Sequence, residues 1–281
     1  MNLVVAMAAG YTVPQLRNFV CSFKQRQEND VLLLLQDTDG PTRQWLHERG
    51  VLTMDVAMDI HPEFARFFAM HEMLRALPEY TRIFHADVRD VVTQDDIFAR
   101  LPEPGLHVFR EDAALIVGKN RVNSVWIAAA YDEETLARYS PETVICSGTT
   151  LGDRESFLVY TKAMTEEYER IAREKDTEFV VHNVRDQALH MHLVYSGELE
   201  RLLAEGGRKL IIHDNGEGVL TLGKAREFIV GKSGVVLTGD KRIPAIVHQY
   251  DRYDFLQEMF DALYAGEEQG RTVLPLPGEK S

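Results

Sequence analysis

Short apolar runs of strand length alternate along this chain with segments of helical period, the pattern of an α/β sheet built with crossovers. Leu3 to Met7 predicts the first strand. Thr12 then caps a helix beginning at Pro14, with Gln15 placed as in a capping box and Leu16, Val20 and Phe23 as the buried face. Val31 to Leu35 is unbroken apolar sequence, as expected of a central strand buried on both faces. Thr42 to Arg49 predicts a short helix ending at Gly50. His61 to Leu77 predicts a longer one, with Phe64, Phe67, Phe68, His71 and Leu74 on one side, and Tyr80 to Phe84 is again strand-like.

In the second half Leu106 to Phe109 predicts a strand, while Val125 to Ala130 fits either type. Thr143 to Cys146 predicts a strand running into a turn from Ser147 to Gly152. Leu158, Thr161, Met164, Tyr168 and Ile171 set a helix over Glu155 to Arg173. Phe179 to Val181, Lys209 to Ile212 and Ala245 to Val247 predict short strands, and Asp254 to Tyr264 a closing helix. The expectation is one domain over residues 1–264, a mixed central sheet flanked by helices, followed by a polar, Pro- and Gly-containing, poorly ordered tail over 265–281. No internal repeat is visible.

Charge narrows the function classes. With 31 basic against 44 acidic residues the net charge is -13, so attraction to nucleic acid or to an anionic membrane face is opposed unless a local basic patch overrides the total. Cys21 and Cys146 are too few and too far apart for a metal knuckle or a disulfide framework, which fits a reducing compartment. Asn2 to Met7 lacks a preceding positive region and is shorter than a signal-peptide core, and no apolar stretch reaches membrane-span length. These features lead to the expectation of a cytoplasmic protein, whose acceptor can be free or presented at a membrane.

The candidate chemistry centres on His85 to Phe98, HADVRDVVTQDDIF, which places Asp87, Arg89 and Asp90 at the C-terminal end of a strand, where open α/β sheets bind ligands. Carboxylates there suit a hard cation such as Mg²⁺ or Mn²⁺, although a strand end followed by a solvated turn reads the same way. Other segments stand in order around it: MNLVVAMAAGYTVPQLRNFVCSFKQ at the start, VICSGTTLG, VHNVRDQALHMHLV and AIVHQYDRYDFL. The set resembles the GT-A-type glycosyltransferases, in particular a group reading D-x-R-D-V-x-F-Q-x-D-P-F, then C-S-G, then D-Q, then V-H-Q-Y-D-R. The resemblance covers the chain from its first strand to about Tyr264, and VHQYDR is its most specific piece. Thr93 departs from it by replacing an aromatic, and Arg89 stands where the common D-x-D motif has its second aspartate.

The resemblance implies a nucleotide-sugar-dependent transferase, active on a glycan or glycoconjugate acceptor and engaged in polysaccharide biosynthesis. It assigns base and ribose to the first-strand loop at Ala8, Ala9, Gly10 and Tyr11, and makes Asp87 a metal or ribose ligand. Asp87, Asp90 and His248 form the implied Mn²⁺ or Mg²⁺ site. Arg89 either pairs with a neighbouring carboxylate or grips phosphate oxygens in place of metal charge. Arg66 can reach the nucleotide, although a solvated helix arginine is the plainer reading. Ser147, Gly148 and Thr149 resemble an acceptor-side loop. Asp186 and Gln187 fall under the anomeric carbon, Asp186 as general base in an inverting enzyme, either residue as a charge stabiliser in a retaining one; the latter matches DQ with His248. Asp186 also reads as a helix cap or first-turn carboxylate. His190 and His192 face about 200° apart on a helix, which excludes joint ligation. A catalytically silent carbohydrate- or nucleotide-binding protein and a nucleotidyltransferase are the alternatives, the latter disfavoured by the missing Gly-rich phosphate loop after strand one.

Overall fold

The computed structural model describes residues 1–26, 29–225, 227–231 and 233–265; the expected tail lies outside the described residues apart from Ala265. The first half runs β1 (Asn2–Ala9), α1 (Val13–Arg26), β2 (Asp30–Gln36), α2 (Gly40–Glu48), β3 (Leu52–Asp55), α3 (Pro62–Ala76), β4 (Arg82–Asp87), β5 (Val91–Thr93), α4 (Ile97–Arg100) and β6 (Leu106–Arg110). It continues with α5 (Arg121–Ala130), α6 (Glu133–Tyr139), β7 (Ile145–Asp153), α7 (Arg154–Lys175), α8 (Thr177–Asn183), α9 (Asp186–Tyr195) and α10 (Glu198–Glu205). The chain closes with β8 (Leu210–His213), β9 (Val219–Thr221), β10 (Phe228–Val230), β11 (Val236–Thr238), β12 (Ile246–His248) and α11 (Asp254–Ala265).

Seven strands form one mixed sheet in the order β3-β2-β1-β4-β7-β6-β8. Strands β3, β2, β1 and β4 are parallel, and β7 runs antiparallel between β4 and β6. Leu33, Leu34 and Val5 are fully buried, as a sheet covered on both faces requires. One face packs against α3, α7 and α9 through Phe64, Phe67, Tyr160 and Leu189; the other packs against α1 through Leu16, Phe19 and Phe23. Half of the capping box of α1 forms, with the Thr12 N–H donating to Gln15 Oε1 at 3.0 Å, while the Gln15 N–H donates to the Thr12 carbonyl rather than to its hydroxyl. A separate three-stranded sheet, β5-β12-β9, carries the C-terminal chemistry and packs under α11.

Two sequence expectations are corrected. Phe179 to Val181 belongs to helix α8, capped by Asp176, whose side chain accepts from the Glu178 N–H at 3.0 Å; a run of three apolar residues carries no period. Ser147 to Gly152 is not a turn. It continues β7, which slips by three residues against β6: Val108 pairs with Thr150 but Phe109 with Cys146, so Ser147, Gly148 and Thr149 bulge. Bulges of this kind re-aim a strand beside functional sites.

Candidate active site

A cavity of about 260 Å³ opens at the C-terminal ends of β1 and β4, lined among others by Tyr11, Glu63, Arg66, Asp87, Arg89 and Asp90. Sheet register delivers the chain there: Met7 pairs with Asp87 across β1 and β4, and both line the cavity together with Ala9. Ala8 points the other way, fully buried in the α1 side of the core, as strand alternation dictates. Gly10 ends the strand in the left-handed region at φ 67°, which turns the half-buried Tyr11 toward the cavity.

Arg66 is buried, at 6% exposure, which corrects the reading of a solvated helix arginine. Its Nη1 donates to Asp87 Oδ1 at 2.7 Å and its Nη2 to Asp186 Oδ2, so one guanidinium ties β4 to the start of α9. Asp186 is the first residue of α9, a first-turn carboxylate; the cap position is Arg185, whose side chain makes no capping bond. Gln187 lies half-buried beside it, its amide donating to Asn123 Oδ1 at 2.7 Å.

His248, Asp87 and Asp90 converge, with one ligand atom from each lying within 4.8 Å of the others. The separation is fixed by strand pairing: β12 runs antiparallel to β5 with His248 opposite Val91, the residue after Asp90. His248 Nε2 stands 3.5 Å from Asp87 Oδ2 and 3.7 Å from Asp90 Oδ1, fully buried and without a hydrogen-bond partner among the described residues. Burial opposes charge on this imidazole, yet Cys146 first, and then Asp90 and Asp87, hold its pKa well above the ordinary value. Burial likewise pushes Asp90 up to about 6. Burial also works to raise Asp87, but Arg66 and His248 outweigh it and hold that carboxyl well below the usual range. Two carboxylate oxygens and an imidazole nitrogen at this spacing are a donor set that fits a divalent cation, which would displace the imidazole proton.

Gly148 is the residue that permits this approach. A Cβ there would collide with Asp87 Oδ2 and come within 2.9 Å of His248 Cε1. Its neighbours Ser147 and Thr149 are buried, at 4% and 0% exposure. The V-H-Q-Y-D-R segment docks on the D-x-R-D loop: the Gln249 N–H donates to Asp90 O at 2.8 Å, the Tyr250 hydroxyl to Arg89 O at 3.0 Å, and Arg89 Nη2 to Asp251 Oδ2 at 2.8 Å. Gln249 pays for this with a left-handed φ of 58°, strain of the kind found where function over-determines the backbone. Arg89 thus pairs with a carboxylate while still lining the cavity. His190 bonds to Tyr160 at 2.8 Å and His192 to Tyr139 at 3.1 Å, so the two serve different neighbourhoods.

Sequence reasoning missed Glu63 and Arg252, both of which line the cavity. Glu63 sits one turn before Arg66 on α3, and its Oε2 is buried without a hydrogen bond among the described residues. Burial and then Asp186 push its pKa up to about 7. The i, i+3 spacing of Glu63 and Arg66 after Pro62 was the available signal.

No protein-family model and no curated protein sequence matches the chain. Among solved structures it is similar to an active-site glutamine-to-glutamate mutant of LgtC, at 14% identity and TM-score 0.57, over 98% of each chain. It is also similar to galactosyltransferase LgtC in complex with donor and acceptor sugar analogs, at 14% identity and TM-score 0.56, over 98% of each chain. The fold is therefore that of the GT-A glycosyltransferases. Among the described residues no helix is long and apolar enough to cross a membrane.

Proposed function

We propose that this chain transfers a sugar from a nucleoside-diphosphate-sugar donor to a hydroxyl of a glycan or glycoconjugate. The observation that carries the reading is the convergence of Asp87, Asp90 and His248 within 4.8 Å beside a cavity that also presents Tyr11, Arg66 and Arg89. The structural neighbours support it, since one of them holds donor and acceptor sugar analogs on this fold.

Tyr11 offers a ring face for the base, and the glycine turn before it lets ligand approach backbone. Asp87, Asp90 and His248 would hold Mn²⁺ or Mg²⁺, which when bound supplies positive charge against the donor diphosphate. Arg89 and Arg252 flank the same cavity and add cationic donors for phosphate oxygens. Asp186 is committed to Arg66, and a carboxylate so paired is better suited to stabilising charge on a sugar ring than to removing a proton. That favours a retaining outcome. Gln187, held by Asn123 at the start of α9, is placed as its polar companion, in keeping with the active-site glutamine of the LgtC neighbour.

The test is ligand-dependent stability together with donor turnover. A nucleoside diphosphate at about a hundred times its dissociation constant, with Mn²⁺, should add roughly 2.7 kcal/mol, more than ATP or NAD at the same concentration. Slow release of nucleotide from one sugar donor should accompany it. Absence of both overturns the proposal.

A further inference from the structure

A second cavity, of about 440 Å³, lies among the end of β6, the β8–β9 connection and the β10–β11 hairpin. Its lining includes Glu111, Thr143, Asp214, Asn215, Asp240 and Arg242. Glu111 is the informative member. It is only 6% exposed, and among the described residues its carboxylate has no hydrogen bond or ion pair. Burying a carboxyl without a partner is expensive, and such a group calls for a ligand or a functional reason. Burial pushes its pKa up to about 7, against the pull of His248 and Arg252.

The backbone places this cavity next to the candidate active site. The Glu111 N–H donates to Val144 O at 2.8 Å, Phe109 pairs with Cys146 two residue pairs further along, and Cys146 Sγ lies 3.8 Å from His248 Nδ1. Strand β7 therefore lies between Glu111 and His248, close enough for the charge of Glu111 to couple to His248 and to Arg252 of the first cavity. The lining holds no aromatic ring among the described residues, so it offers no stacking face for a second base. Its arginines are already engaged: Arg110 with Asp214 at 2.9 Å and Arg242 with Asp240 at 2.7 Å. What remains to meet a ligand is hydrogen-bonding capacity with a negative field.

We propose that this cavity is the acceptor subsite and that Glu111 selects neutral or amine-bearing saccharides over anionic ones. The inference rests on the glycosyltransferase reading for its name but not for its chemistry. A carboxyl on the floor can accept from two sugar hydroxyls or pair with an ammonium, whereas a carboxylate- or sulfate-bearing glycan would meet like charge in a desolvated place.

Saturation-transfer NMR on the full chain tests this, with lactose, a glucosamine disaccharide and 3′-sialyllactose as probes and a nucleoside diphosphate present. Lactose and the glucosamine disaccharide should bind, and sialyllactose should bind about tenfold or more weakly, the scale of one charged hydrogen bond or repulsion. Glu111→Gln should weaken both binding probes by about tenfold, the glucosamine disaccharide more, while nucleotide affinity stays unchanged. Asp240→Asn, at the rim, should narrow the discrimination against sialyllactose without abolishing lactose binding. Equal or tighter binding of sialyllactose, no saccharide signal, or lactose binding indifferent to Glu111→Gln overturns the inference. If that happens while nucleotide binding and donor release persist, the acceptor assignment alone falls. Glu111-dependent lactose binding without any nucleotide binding would instead sink the reading of the first cavity and leave a carbohydrate site.

Discussion

Arg66 and Asp186, 120 positions apart, form a buried ion pair that anchors the start of α9 to α3, and the same guanidinium reaches Asp87 on β4 at 2.7 Å. Both partners are nearly excluded from solvent, with side chains 7% and 6% exposed. Arg66→Met should therefore cost about 3–5 kcal/mol in urea denaturation, because a charge is left buried without its partner. Adding Asp186→Asn should recover part of the loss. A single substitution that costs under about 1 kcal/mol would show that no such pair forms.

Gly148→Ala puts a methyl group where Asp87 and His248 now meet. The backbone there can adopt the new residue, so the fold should survive with a modest loss in Tm. Mn²⁺ binding measured by calorimetry should fall by about tenfold or more, as expected when one ligand is displaced. Unchanged Mn²⁺ affinity would mean that the three side chains do not share a cation.

Metal and arginine make opposite forecasts for charge neutralisation. If Asp87, Asp90 and His248 hold the cation, EDTA should abolish donor turnover, and His248→Ala and Asp87→Asn should each reproduce the effect, with excess Mn²⁺ restoring part of donor affinity. If Arg89 carries the task, activity survives EDTA and Arg89→Lys is impaired through loss of the planar fork. The ion pair of Arg89 with Asp251 at 2.8 Å favours the first outcome.

If Asp186 and Gln187 stabilise charge on the sugar ring as proposed, Asp186→Asn and Gln187→Ala should each lower turnover by about 10² or more while donor affinity stays nearly intact, since such groups act mainly in the transition state. Steady-state kinetics with separate kcat and KM decide it. Loss confined to KM would assign both residues to ground-state binding.

The acidity of Glu111 gives a pH signature in stability. Its pKa rises from 4.5 in the unfolded chain to about 7 in the folded one, chiefly through burial. The contribution is complete below the unfolded value and is lost as pH climbs through the folded value. Relative to Glu111→Gln, the wild-type protein should lose roughly 3 kcal/mol between pH 4 and pH 8. Parallel urea midpoints for the two proteins across that window would contradict the burial of the carboxyl.

The sequence carried the fold wherever a strand was long and apolar, as in β1, β2 and β4, and where a capping box marked α1. Strands of three residues, β5, β9, β10 and β11, were invisible because no period fits so short a run, and β3 because its residues are largely exposed. The small, hydroxylated Ser147 to Thr149 read as a turn because composition does not register a bulge within a strand. The carboxylates and His248 were legible because a local motif names them. The burial of Arg66, Glu63 and Glu111 was not, since it is set by which distant elements close over each side chain.

One further property follows from the three-stranded sheet. Strand β12 is hydrogen-bonded on both sides, and Ile246, Val247 and His248 are wholly buried, so the imidazole has almost no freedom to retreat. A fixed nitrogen donor beside carboxylates discriminates among ions by size and by hardness. Ca²⁺ needs six to eight pliable oxygen ligands and is penalised by a rigid imidazole, whereas Mg²⁺, which dehydrates reluctantly, would lean on the two carboxylates and its own waters more than Mn²⁺ would. If the proposed cation site is real, its preference is set by the ladder of a three-residue strand, and replacing a residue that never touches the ion should still change which ion binds.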